Sequence, residues 1–426
     1  MKKVIIILIM LAMCCTLGAC RSDEERNTGI PDVPLFSADF NFETDNQYYL
    51  GSTKIAEGPE AYYFFVGYYL YYADKDTLDA YPLCNRADCL HDQETNYDRR
   101  QECNAYIMLP ESISYYNGKL YVINTEVAEI EFVTSIKKFS LDGVYEGEVG
   151  TLETLNSVIQ HKGKLYYGYT EIPVDAGKDD WGTAYLASYD LGTGKKEIIG
   201  QWSRNEYREV QFRYAFGDRV YYTLYDNSRR LEIFNINDGT ITTLESINKE
   251  QGAMIAKTMI YHDRILYHEY RVNDDGEDIE YNKGLYMAEL DGSNPHRVGE
   301  VEYKNGLLNV CGEVMIVSNN YYYGGAGRDY NFSEKFIAYK DFKPIANFDF
   351  MDVDGDGTSY DYSAHPMLSI CDAGNNIIFQ WVSNKSDNPA VIGTAWFAVS
   401  KAELEGGKAT PRLIAEPPDI SYYSAG

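Results

Sequence analysis

Positive charge is scarce in this sequence. Its 426 residues hold 38 Lys and Arg against 65 Asp and Glu, a net charge of −27. Binding to nucleic acid requires neutralising phosphates with Lys and Arg, so nucleic acid is excluded as a natural partner. A basic face for anionic lipid is excluded on the same ground. Long apolar runs are also missing. The one notable run, Val4–Met13, falls short of the about 20 residues that span a bilayer. No stretch of useful length has helical periodicity. Neither Gly-x-Ser-x-Gly nor His-Glu-x-x-His occurs, and only six His are present (His91, His161, His262, His268, His296 and His365). Trp is rare at four, Phe moderate at 17, and Tyr abundant at 40. Tyr suits half-buried pleated surfaces with one wet end. The composition is that of an acidic, globular, all-β protein.

The N-terminus carries an address. Lys2 and Lys3 precede the apolar run, and Leu17-Gly18-Ala19-Cys20 follows it. A charged n-region, a short h-region and small residues read as a signal peptide. The last four residues resemble the bacterial lipobox. That resemblance implies diacylglycerol on the Cys20 thiol, cleavage before Cys20, and a signal spanning 1–19. It also implies an extracytoplasmic protein held at the bacterial cell membrane by its acyl chains. Residues 20–40 are polar, include Pro31 and Pro34, and read as the lipidated end and a flexible tether. The body runs from 41 to 426. Of eight Cys, Cys14 and Cys15 leave with the signal and Cys20 is acylated, so five thiols remain in an oxidising compartment.

The body repeats. A short strand, a tight turn and a Tyr-rich strand recur at 113–122, 158–167, 212–222, 258–267, 307–317 and 367–379. Gly, Asn or Asp occupies each turn and supplies positive φ. A second alternating strand ending in an Asp/Gly turn follows each, most plainly at Leu285–Ser293, and Leu70–Asp74 starts the series. Seven copies at this spacing predict a single seven-bladed β-propeller. The first copy shows no leading hairpin strand. Asp419-Ile420-Ser421-Tyr422-Tyr423 echoes Ser112–Tyr116, so a C-terminal strand is expected to close the first blade and remove its open edge. Leu285–Ser293 resembles the strand ends of low-density-lipoprotein-receptor-type propellers, although Tyr-Trp-Thr-Asp does not occur. The body as a whole resembles uncharacterised Tyr-rich propeller lipoproteins of clostridial gut bacteria, a resemblance that brings no activity with it.

Two clusters have ligand-like spacing. Cys84, Cys89, His91 and Cys103 form Cys-x4-Cys-x-His-x11-Cys in an insertion at about 84–106. Three thiols and an imidazole make a tetrahedral Zn²⁺ set. The alternative is one disulfide with a spare thiol. The clostridial lipoproteins are similar here, with a Pro-Leu-Cys…Asp-Cys-x-His…Cys pattern. Asp352, Asp354 and Asp356 alternate before Gly357, and Asp361 follows. This is either the start of a Ca²⁺ loop or a plain acidic turn, since the twelfth position is Ser363 rather than Glu. Cys311 and Cys371 occupy equivalent places in successive repeats and read as small buried residues. His161, His262 and His268 read as structural. No organic cofactor and no catalytic residue is indicated. The leading functional expectation is a monomeric, membrane-anchored binding or scaffold module for an extracellular glycan, peptide or protein, with exposed Tyr as a contact surface. An extracellular lyase or glycosidase using funnel carboxylates is the alternative, and pocket chemistry separates the two.

Overall fold

The structure is a computed structural model. It describes residues 40–417 apart from 129–130, 174–181, 204–208, 226–229, 245–252, 262, 273–278, 301–307, 319–334, 350–359, 362–366 and 386–387. Seven antiparallel sheets follow one another along the chain, six of four strands and the last of five. This is a seven-bladed β-propeller. The innermost strands of the blades are Ile55–Glu57, Pro110–Tyr116, Leu155–His161, Glu209–Phe216, Ala253–Tyr261, Leu308–Cys311 and Met367–Ala373. Each meets the next around a central axis.

Local chemistry makes the hairpins. Asn117-Gly118 and Lys162-Gly163 join first to second strands with consecutive positive φ, at 53° and 72° and at 47° and 77°. That is the two-residue turn whose twist matches paired strands. Between third and fourth strands an Asp side chain folds the turn. Asp74 Oδ1 accepts from the Asp76 and Thr77 amides, and Asp190 Oδ1 from Gly192 and Thr193.

The core lies between blades. Seven apolar clusters each join two neighbouring blades, and together they complete the ring. The tyrosines belong here. Many of their rings fill the space between blades, and some of their hydroxyls reach main chain next door. Tyr189 of blade three donates to Val149 O at 2.6 Å, and Tyr221 of blade four to Leu290 O at 3.1 Å. Most tyrosines whose side chains are described are buried or half-buried, and among these Tyr81 and Tyr145 are exposed, so the described part shows few tyrosines for the expected contact surface. A Tyr in this position buries a large ring without stranding its hydroxyl.

The first blade also differs from expectation. All four of its strands, Ile55–Glu57, Ala61–Val66, Tyr69–Asp74 and Ala80–Pro82, come from one continuous segment. Its inner strand is three residues long, too short to show alternation, and escapes sequence reading for that reason. These four strands make the sheet without a C-terminal one, and residues 420–423 lie outside the described residues. Among the described residues the ring closes by packing. The last blade's buried Trp396 donates to Phe65 O of blade one at 2.8 Å and lies on Phe64, with ring centroids 4.8 Å apart.

Candidate functional site

The segment at 40–51 belongs to no blade. It crosses the axis at the end where the first-to-second-strand turns lie, and it touches all seven blades. Glu43 O accepts from Asn117 N at 2.8 Å, and Thr44 O from Lys162 N at 2.7 Å. Asn46 Oδ1 accepts from Ala215 N at 3.1 Å. Gln47 pairs both ways with the Glu57 main chain. A single 3-10 turn, Tyr48–Leu50, rests against the inner strands of blades four to seven. The chain then leaves through Gly51 at φ 68°, where a side chain would strike Asn309.

His161 is the hub of this plug and is fully buried. Its Nδ1 accepts from Asn46 N at 2.9 Å, so Nε2 carries the proton and donates to Gly217 O at 2.8 Å. Burial holds its pKa below the ordinary imidazole value, and a proton on Nδ1 would meet the Asn46 amide. The ring is structural, as its sequence position suggested. Nearby, the buried Glu57 carboxylate is met by Lys75 Nζ and Tyr49 Oη. Burial pushes Glu57 up, against the pull of Lys75.

Beneath the plug, blades one to three and the plug line a small recess of about 40 Å³ that opens to solvent. Its polar walls are Asn46, Gln47, Ser52, Thr53, Ser112, Ser114 and Gln160, with Tyr115 and the aliphatic Ile55, Ile113, Val158, Ile159 and Leu165 between them. No carboxylate, imidazole or thiol lines it. Hydroxyls and amides donate and accept without charge, so the walls are suited to orienting a neutral polar ligand. They offer no general acid or base. Sequence reading missed this recess, because its walls come from the plug and three separate repeats.

The second site is the insertion after blade one. It runs along that blade's outer edge, where Leu70 N donates to Ala105 O and Ile107 N to Tyr68 O, both at 2.7 Å. Asn96 caps the short helix Tyr97–Gln101 through the Arg99 amide. Cys84, Cys89, His91 and Cys103 converge, with one ligand atom from each and all four within 4.8 Å of one another. His91 Nδ1 lies 3.8 Å from Cys103 Sγ. A tetrahedral Zn²⁺ with bonds of about 2.3 Å to sulfur has ligand–ligand edges of about 3.8 Å, so the cluster is the right size. All five described cysteines are free thiols. His91 adopts φ 51° and thereby aims its own amide at Cys89 Sγ, 3.3 Å away. An amide directed at sulfur favours the thiolate that a metal needs. Burial and the neighbouring Cys89 and Cys84 sulfurs push the Cys103 thiol far up, so without a cation it stays protonated and neutral.

The remaining candidates are apart from both sites. Cys311 and Cys371 are fully buried. His268 is buried within its strand, and His296 is exposed, with Nδ1 2.9 Å from Asn294 O. Asp352, Asp354 and Asp356 lie outside the described residues, as do His262, His365 and Cys20. Asp361 is described only as part of the two-residue strand Tyr360–Asp361.

No protein-family model matches the sequence, and no curated protein matches it. Solved structures do resemble it in fold. A prolyl endopeptidase is 11% identical with a TM-score of 0.53, over 87% of this chain and 50% of its own, so the chain spans half the length of that enzyme. The oligogalacturonate lyase of Vibrio parahaemolyticus is 14% identical with a TM-score of 0.48, over 86% of this chain and 92% of its own. The β-propeller domain of the Trilobed protease from Pyrococcus furiosus, which has an open velcro topology, is 9% identical with a TM-score of 0.38, over 74% of this chain and 98% of its own. At these identities the likeness is one of fold alone, that of the β-propeller.

Proposed function

We propose that this chain is a lipid-anchored, extracytoplasmic binding module. In this reading Cys20 carries the acyl chains, and the propeller presents the recess beneath its plug to a neutral, hydroxyl- or amide-rich ligand from a glycan, a peptide or a protein loop. One observation carries the reading: the polar walls of the recess are Ser, Thr, Asn and Gln from the plug and from inner strands, without an acid–base pair. A lyase or glycosidase would need convergent carboxylates or a base there. The test is a glycan and peptide array probed with the chain from Arg21 onward, beside Ser114→Trp, which fills the recess. Hits lost in Ser114→Trp support the reading. Hits unchanged in that variant, or cleavage of any arrayed ligand, overturn it. The anchor is tested separately. Cys20→Ala should leave an uncleaved precursor, and identical processing of both forms would remove the anchor from the proposal.

The ion proposed for the second cluster is Zn²⁺. It supplies charge to bind three thiolates and one neutral imidazole, and with four protein ligands it keeps no open position for a substrate. Its role in this reading is structural. Cys84, Cys89 and Cys103 would hold it through sulfur and His91 through Nδ1 or Nε2.

A further inference from the structure

Six of the seven junctions between blades are crossed by the chain itself. The junction between blade seven and blade one is not, and no strand exchanged between those two sheets holds it among the described residues. It rests on side-chain packing, to which Tyr49 and Leu50 of the plug contribute, and on cross-blade bonds that include Trp396 to Phe65 O and Arg412 to Thr77 O. The Cys/His insertion enters this same junction. Cys103 and Ala105 are buried in the apolar cluster that contains Trp396, Ala398 and Ala415 of blade seven and Tyr62, Phe64 and Tyr71 of blade one, and Cys84 and Cys89 pack against it. The insertion grips the far side of blade one as well. Leu83 and Ile107 are buried in the cluster between blades one and two. The Cys84 amide lies against Gly143 of blade two, where a side chain would strike it, and Asn104 Nδ2 donates to Gly143 O at 3.1 Å.

We propose that the four-ligand cluster is a metal-set wedge: Zn²⁺ at Cys84, Cys89, His91 and Cys103 fixes the insertion against both flanks of blade one and thereby helps hold the junction between blades seven and one closed. The inference rests on the Zn²⁺ reading above and adds where the ion's stabilisation is felt. The insertion has few apolar side chains of its own between Asp92 and Glu102. A cross-link would help keep Cys103 and Ala105 seated, because ordering a polar loop costs backbone entropy that its own few apolar contacts offset poorly. One ion joining residues 84, 89, 91 and 103 removes most of that freedom.

The test is native-state hydrogen exchange on the full chain, kept reduced, with Zn²⁺ alone added or with a chelator, beside native mass spectrometry. The expected result is one Zn²⁺ per chain, lost in His91→Ala. Adding metal slows exchange about tenfold in Ala61–Asp74 and Trp396–Ser400, and leaves Glu209–Tyr225 in blade four unchanged. Three results overturn the wedge. Zn²⁺ bound with protection confined to 84–107 keeps the site and removes its role at the junction. Uniform protection of all blades removes the specificity for that junction. Absence of bound Zn²⁺ in the reduced, folded wild type removes the metal reading and the wedge together. His91→Ala is chosen because His91 is only half-buried; the chelated wild type gives the same comparison without a substitution.

Discussion

Two segments lie outside the blades and bind to them, and they do so in opposite ways. The plug at 40–51 spreads its attachment around the whole ring, through carbonyls, one Asn, one Gln and a few aromatic rings. The insertion at 84–106 concentrates its attachment at one point where four donor atoms meet. Spread contacts are each worth about 1 kcal/mol and lose strength gradually. A four-ligand cluster is all or nothing, because three ligands hold a structural metal far less well than four. The plug therefore depends on no added component, and the insertion on the supply of an ion.

The largest expected effect breaks the plug at its one concentrated point. Lys75→Met leaves the Glu57 carboxylate buried beneath Tyr49 without its cation, and should cost about 3–5 kcal/mol in urea unfolding. A cost under about 1 kcal/mol would show that Glu57 is already protonated.

The second prediction sharpens the contrast at the insertion. At a Zn²⁺ concentration 100 times its Kd, wild type should gain about 2.7 kcal/mol over the chelated protein, and His91→Ala should gain much less. In chelator the two proteins should differ by less than about 0.5 kcal/mol. Thermal melts in both conditions check this.

Next, Asn46→Ala removes the acceptor for Ala215 N and leaves that amide unpaired in the channel mouth. It should cost about 1–3 kcal/mol whether or not metal is present. The smallest expected effect is the response of the plug to acid. The folded pKa of His161 lies below its unfolded value of about 6.5, so the unfolded chain binds the proton more readily. Its contribution is complete above about pH 6.5 and is lost as pH falls from there toward the folded pKa, by at most about 1.4 kcal/mol per pH unit. The slope should be absent in His161→Gln. An unchanged slope in that variant would assign it to carboxylates.

Some of this was legible from residues alone, for reasons of range. The hairpins at Asn117-Gly118 and Lys162-Gly163 are local: turn residues and flanking alternation sit within ten positions, so the blade count could be read directly. The spacing of Cys84, Cys89, His91 and Cys103 is also local enough to nominate as one group. The three-residue strand Ile55–Glu57 has no period to detect, and its omission produced the expectation of a C-terminal strand in blade one. Surplus Tyr was visible as a number, but its place between blades was not, since Tyr189 and Val149 are partners only once two sheets face each other.

The sequence by itself determined the repeat, the acidic surface, the lipobox-like N-terminus as an expectation, and a four-residue set with metal-ligand chemistry. These are properties of composition and short spacing. Only the tertiary structure decided that Trp396 meets Phe65 across 331 residues, that Asn46 meets Ala215 across 169, and that Cys103 is buried at the junction between blades seven and one. Contacts at such separations have no local signal, because they exist only after every blade has taken its place around the axis.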